Sequence, residues 1–200
     1  MTVDYNSCDL DPYVERTLEL IEGRGWRQFT FSDLAVDRGE PLHEIEQLFP
    51  EKEAIYMAVH KWLDRRVAEA SDDDLEMMEG DELQGESKKE MLFDMLLSRI
   101  ELMTPYKKAI QQLYDDIWTN PKSMMAMTVL LQAKMVSMLQ AVGVRESYIP
   151  LDAQAAALGT AYTSVLEIWF TDDSADLSQT MAELDRRLTQ LDALAMKAAV

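Results

Sequence analysis

His60 and Asp64 are the residues of this chain best spaced for chemistry: one helical turn apart, an imidazole and a carboxylate can share a metal ion. A third ligand is needed, and the only other histidine, His43, stands seventeen positions away. A surface pair with no metal is the expected outcome. Covalent chemistry has no better footing. The sequence holds no nucleophile–histidine–acid pattern, no Gly-rich phosphate loop and no dinucleotide fingerprint, so neither catalysis nor a cofactor is expected. Cys8 is the single cysteine. It allows no internal disulfide, and near the terminus it reads as inert rather than as a redox sensor.

The apolar side chains say more. Twelve of the fourteen methionines lie from Met77 onward. Unbranched thioethers adapt to irregular shapes, so Met91, Met95, Met103, Met127 and Met135 are candidates to line a pocket for an apolar or lipid-like small molecule. Tyr106, Tyr114, Trp118, Tyr162 and Trp169 are interleaved with them, and a tyrosine hydroxyl would give such a pocket a polar handle. A Met-rich helical core would use the same residues, and spacing does not choose between the two readings. Ala153, Ala156, Ala157, Thr160 and Ser164 recur at helical steps, where small side chains let another helix approach closely, from this chain or from a second copy.

Helices must hold these residues. Gly and Pro number 7 and 6 in 200 residues, and no stretch alternates as a strand would. Pro, Gly and capping residues divide the chain into about nine helices: Asp11 to Arg24, two short ones between Thr30 and Phe49, then Glu51 to Ala70, Lys88 to Met103, Pro105 to Thr119, Pro121 to Val142, Asp152 to Phe170 and Leu177 to Lys197. Between the fourth and fifth, the acidic stretch Ser71 to Ser87 reads as a loop. The organisation expected is a small domain at 1–50, a connecting helix at 51–71, an acidic loop at 72–87 and a larger domain at 88–200 for ligand binding and dimerisation. The formal charge of −18 disfavours nonspecific attraction to nucleic acid or an anionic membrane. No run approaches the roughly 20 apolar residues of a membrane span. The N-terminus lacks a basic-then-apolar signal. A cytoplasmic protein without stable membrane insertion is expected.

The segment from Gly25 to Ile55 reads as a helix-turn-helix. Thr30 and Asp33 have capping-box spacing, Gly39 ends the first short helix, Pro41 opens the next, and Leu42, Ile45, Leu48 and Phe49 continue an apolar stripe. Its reading surface is acidic. Between Phe31 and Phe49 stand Asp33, Asp37, Glu40, Glu44 and Glu46, against Arg38 alone.

Gly25-Trp26, Thr30, Asp33-Leu34-Ala35, Gly39 and Phe49-Pro50-Glu51-Lys52-Glu53-Ala54 resemble the N-terminal domain of TetR-family transcriptional regulators. The resemblance implies an all-α fold with a three-helix DNA-binding domain, a larger ligand-sensing helical bundle and a dimer formed through the last two helices. Any contact with DNA would fall to Arg27, Thr30, Leu42, His43, Gln47 and Lys52, the last being of a type that usually contacts phosphate in that family. The family's recognition helix usually carries a basic or small residue, a Thr and a Tyr where this chain has Leu42, Glu44 and Glu46. The stretch Ala155 to Leu191 also resembles the end of a TetR-fold lipid-binding family of coenzyme Q biosynthesis. Together these lead to a homodimer that binds an apolar or lipid-like small molecule and does not read DNA specifically through its third helix. The alternative is an active, ligand-responsive regulator that binds operator DNA as a dimer.

Overall fold

The computed structural model describes the backbone of residues 10–77, 87–145 and 149–198, and the side chains of 10–69, 87–145 and 149–193. Cys8 and positions 78–86 of the expected acidic loop lie outside the described residues. Nine α-helices and one short 3-10 turn, and no strand, are found among them: α1 (Asp11–Arg24), α2 (Phe31–Arg38), α3 (Leu42–Leu48), α4 (Ala54–Met77), α5 (Lys88–Met103), the 3-10 turn (Thr104–Tyr106), α6 (Lys107–Thr119), α7 (Pro121–Ala141), α8 (Leu151–Thr171) and α9 (Ser178–Ala198). The helix expected to stop at Ala70 continues to Met77, through Asp72-Asp73-Asp74. Extending an existing helix adds one hydrogen bond per residue fixed, so a run of middling helix formers continues what it would not start.

The chain forms two compact units. The first holds the residues through Ala68 together with Met103–Met127, so α6 belongs with the helix-turn-helix helices. The second holds Glu69–Leu102 and the chain from Thr128 onward.

In the first unit, Val14, Leu18 and Ile21 of α1 pack inward with Phe29, Leu34, Ile45, Phe49 and Ile55. Gly25 ends α1 at φ 90°, and its N–H donates to the Ile21 carbonyl. Thr30 begins α2 with a complete capping box: its hydroxyl accepts from the Asp33 N–H at 3.3 Å, and the Asp33 carboxylate accepts from the Thr30 N–H at 2.8 Å. Gly39 closes α2 in the left-handed region at φ 68°, where a β-carbon is disfavoured. α3 follows with no side-chain cap on its first turn.

In the second unit α8 and α9 pack against each other. Gly159 of α8 lies against α7, where an added Cβ would meet Leu131 at 3.5 Å and Met135 at 3.6 Å. Buried Asp172 staples the turn between α8 and α9. Its carboxylate accepts from the Ser174 N–H at 3.0 Å, the Thr180 N–H at 2.9 Å and the Thr180 hydroxyl at 2.7 Å. Burial pushes this carboxyl up, but the donors of Ser174 and Thr180 outweigh burial and hold it well below the usual carboxylate range.

Candidate functional site

α3 exposes Leu42, His43, Glu44, Glu46 and Gln47 and buries Ile45. The acidity of the motif divides into two kinds. Asp33 pairs with Arg24 at 2.6 Å, Asp37 with Arg16, and Glu40 with Arg38 at 3.1 Å while also accepting from the Tyr13 hydroxyl at 3.0 Å. These three carboxylates are neutralised within the unit. Glu44 and Glu46 have no ion pair among the described residues, so the negative face of the motif is the face of α3 itself.

The cations that could have gripped phosphates are largely engaged. Arg24 holds Asp33, Arg65 holds Asp11, and Arg66 holds Glu15. Lys52 turns inward: its ammonium donates to the Trp26 carbonyl at 2.5 Å and lies 4.2 Å above the centre of the Trp26 ring. Burial lowers the pKa of Lys52 against the opposing pull of Asp116 and Glu53. Thr30 is occupied by its capping box. Arg27 is exposed and has no ion pair among the described residues. Thus of the six residues expected at DNA, Leu42, His43 and Gln47 share the α3 face, Arg27 stands free, and Lys52 and Thr30 serve the fold.

Two clefts of about 460 and 350 Å³ adjoin Trp26 and Arg27. Asp116 and Thr119 of α6 line both of them. Here α6 grips the helix-turn-helix: Gln112 accepts from the Trp26 N–H at 2.7 Å, and Asp116 accepts from the Tyr56 hydroxyl at 2.5 Å. Burial, then that bond to Asp116, pushes the Tyr56 phenol up. Gln112 and Asp116 were missed by sequence reasoning, because their partners lie 86 and 60 positions away and no local pattern marks them.

The ten apolar candidates are divided between the units. Met103, Tyr106, Tyr114, Trp118 and Met127 belong to the first; Met91, Met95, Met135, Tyr162 and Trp169 belong to the second. Tyr106 meets Trp62 edge-on at 5.7 Å, and Tyr114 meets Trp118 at 5.8 Å. Met103, Met135, Tyr162 and Trp169 are buried; Met91, Met95 and Met127 are half-buried. Trp118 is 56% exposed, so it lines no buried interior in this chain.

Ala153, Ala156, Ala157 and Thr160 are exposed on α8, and Ser164 is half-buried. The Thr160 hydroxyl donates to the Ala156 carbonyl at 2.9 Å, and the Ser164 hydroxyl to the Thr160 carbonyl at 3.0 Å. Both donors are tied to their own helix, which leaves a smooth face of small groups. His60 and Asp64 approach at 3.4 Å, and no group of three potential metal ligands occurs among the described residues.

No protein-family profile matches the chain, and no curated protein matches it. Among solved structures it is similar to the crystal structure of a TetR transcriptional regulator from Nitrosomonas europaea. The TM-score is 0.74 at 18% sequence identity, covering 91% of this chain and 96% of that one. The chain therefore has the TetR-like all-α fold, a small helix-turn-helix part followed by a larger helical part.

Proposed function

We propose that this TetR-fold protein acts as a homodimer, holds an apolar or lipid-like small molecule in its C-terminal part, and no longer reads DNA specifically. One observation carries the loss of reading: α3 presents Glu44 and Glu46 unpaired while Lys52 points into the Trp26 carbonyl. A recognition helix places donors at base edges while basic groups hold phosphates. Two carboxylates per copy work against that, each costing on the order of 1 kcal/mol near a phosphate at surface dielectric. Dimerisation draws support from the exposed small-residue face of α8, and the ligand from the concentration of methionines from Met77 onward, with aromatic side chains interleaved among them.

The test of reading is binding to total genomic DNA at low salt, where even weak phosphate contacts register. Little binding is expected, and nanomolar sequence-selective binding at physiological salt would refute the proposal. Native mass spectrometry of the purified protein tests for a carried lipid-like molecule and, in the same spectrum, for the dimer. Replacing Ala156 and Ala157 by glutamate is expected to yield monomer.

The second reading, an active ligand-responsive regulator, is favoured by the intact geometry of α2 and its turn. It requires a basic collar centred on Arg27. Arg27→Ala discriminates: any DNA binding that survives it unchanged does not use that collar.

A further inference from the structure

The methionines of this chain are not equally open to solvent. Among those whose side chains are described, only Met124 and Met125 are exposed, at 37% and 69%. Further along the same helix, Met135 and Met138 are buried, at 0% and 1% exposure. The start of α7 is fastened by other groups than the exposed pair. The Asn120 side-chain carbonyl accepts from the Lys122 N–H at 3.1 Å, and its backbone carbonyl accepts from the Met124 N–H at 2.9 Å. Met125 can therefore change its chemistry without releasing the helix. A thioether needs no deprotonation to react, so solvent access decides which methionine an oxidant reaches.

We propose that Met125, with Met124 as a slower second site, is a reversible oxidation site for hydrogen peroxide. A lone pair of the Met125 sulfur attacks one peroxide oxygen, so an S–O bond forms as the O–O bond breaks. The departing oxygen takes the O–O electron pair and receives the proton of the transferred oxygen, leaving as water. Sulfur gives up two electrons and the peroxide gains them. The product, methionine sulfoxide, is polar, and sulfoxide reductases return it to the thioether. At Met125 the new oxygen points into water. At Met135 it would enter a packed interior, where the Met135 Cγ lies 3.6 Å from where a Cβ on Gly159 would stand. A buried polar group without a partner is costly, so oxidation of Met135 must wait for the fold to open. The proposal depends neither on a ligand in the C-terminal part nor on the loss of DNA reading.

The test treats the purified full chain with hydrogen peroxide under native conditions and follows each methionine by peptide mass spectrometry. Met125 should be oxidised first, and Met135 and Met138 more slowly by at least about tenfold, because only opening of the fold exposes them. In urea the three rates should converge. Circular dichroism should show unchanged helicity when Met125 alone is oxidised, and the two epimer-specific sulfoxide reductases should restore its thioether. Met125→Leu should remove the fastest oxidation and leave the thermal midpoint where it was. Oxidation of Met125 no faster than that of Met135 overturns the proposal, as does loss of helicity in step with Met125 oxidation or failure of the reductases to reverse it. Protection of Met125 that grows with protein concentration also overturns it, since a second copy then covers the site.

Discussion

α2 and α3 are neighbours of eight and seven residues, and they are held in opposite ways. α2 is fastened by its own sequence, with a capping box at one end, a left-handed glycine at the other, and its acids paired to Arg24 and Arg16. α3 has no side-chain cap and no basic residue in its last turn. It is held from below, by Ile45 and by Phe49, which stacks on Phe31 with ring centres 6.0 Å apart. The outer face of α3 therefore has no structural duty. Its residues can change, and a reading function can be lost, without cost to the fold.

The largest test of this contrast is Ile45→Ala. It should cost about 2–5 kcal/mol, because a fully buried side chain leaves a cavity where α3 has no other fastening. Thermal or urea unfolding measures it, and a cost below about 1 kcal/mol would mean that α3 is held by something other than burial. Thr30→Ala should cost about 1 kcal/mol through loss of the cap on α2.

A smaller effect is expected in acid. The Thr30 hydroxyl, then its backbone N–H, then Arg24 hold the Asp33 carboxyl below its ordinary value of 3.8, and Arg16 does the same for Asp37. Their contribution is present above that value and is lost as pH falls through the lower folded pKa. Stability measured from pH 5 downward should therefore decline, and Thr30→Ala should flatten the decline. The smallest change in stability belongs to Glu44→Thr with Glu46→Tyr, within about 0.5 kcal/mol, as for most surface substitutions. The same variant should bind nonspecific DNA more tightly by about tenfold or more, since two surface like-charge terms are removed per copy. A large loss of stability in this variant would end the claim that the α3 face is structurally idle.

Much of the fold was legible. Thr30, Asp33 and Gly39 announced both ends of α2, and the helices after α4, which itself runs seven residues past its expected end at Ala70, begin and end within a few residues of the expected positions. The candidate site was less so. Counting charges showed that the motif is acidic, but not that Asp33, Asp37 and Glu40 are neutralised while Glu44 and Glu46 are not. Lys52 looked like a phosphate contact from its place after Phe49-Pro50, yet the Trp26 carbonyl and ring take it. The ten methionine and aromatic candidates seemed one population along the chain, and packing assigns five to each unit.

By itself, the sequence determined an all-helical chain, the capped ends of α2, and the residue types displayed on α3 and α8. Those features depend on hydrogen bonds and periodicities that span at most one or two helical turns. Only the tertiary structure decided which charges remain for a partner, that α6 joins the helix-turn-helix unit through Gln112 and Asp116, and that Met124, Met125 and Val129 of the apolar α7 are exposed. Each of these depends on which distant side chains arrive at the same place, and local composition carries no record of that.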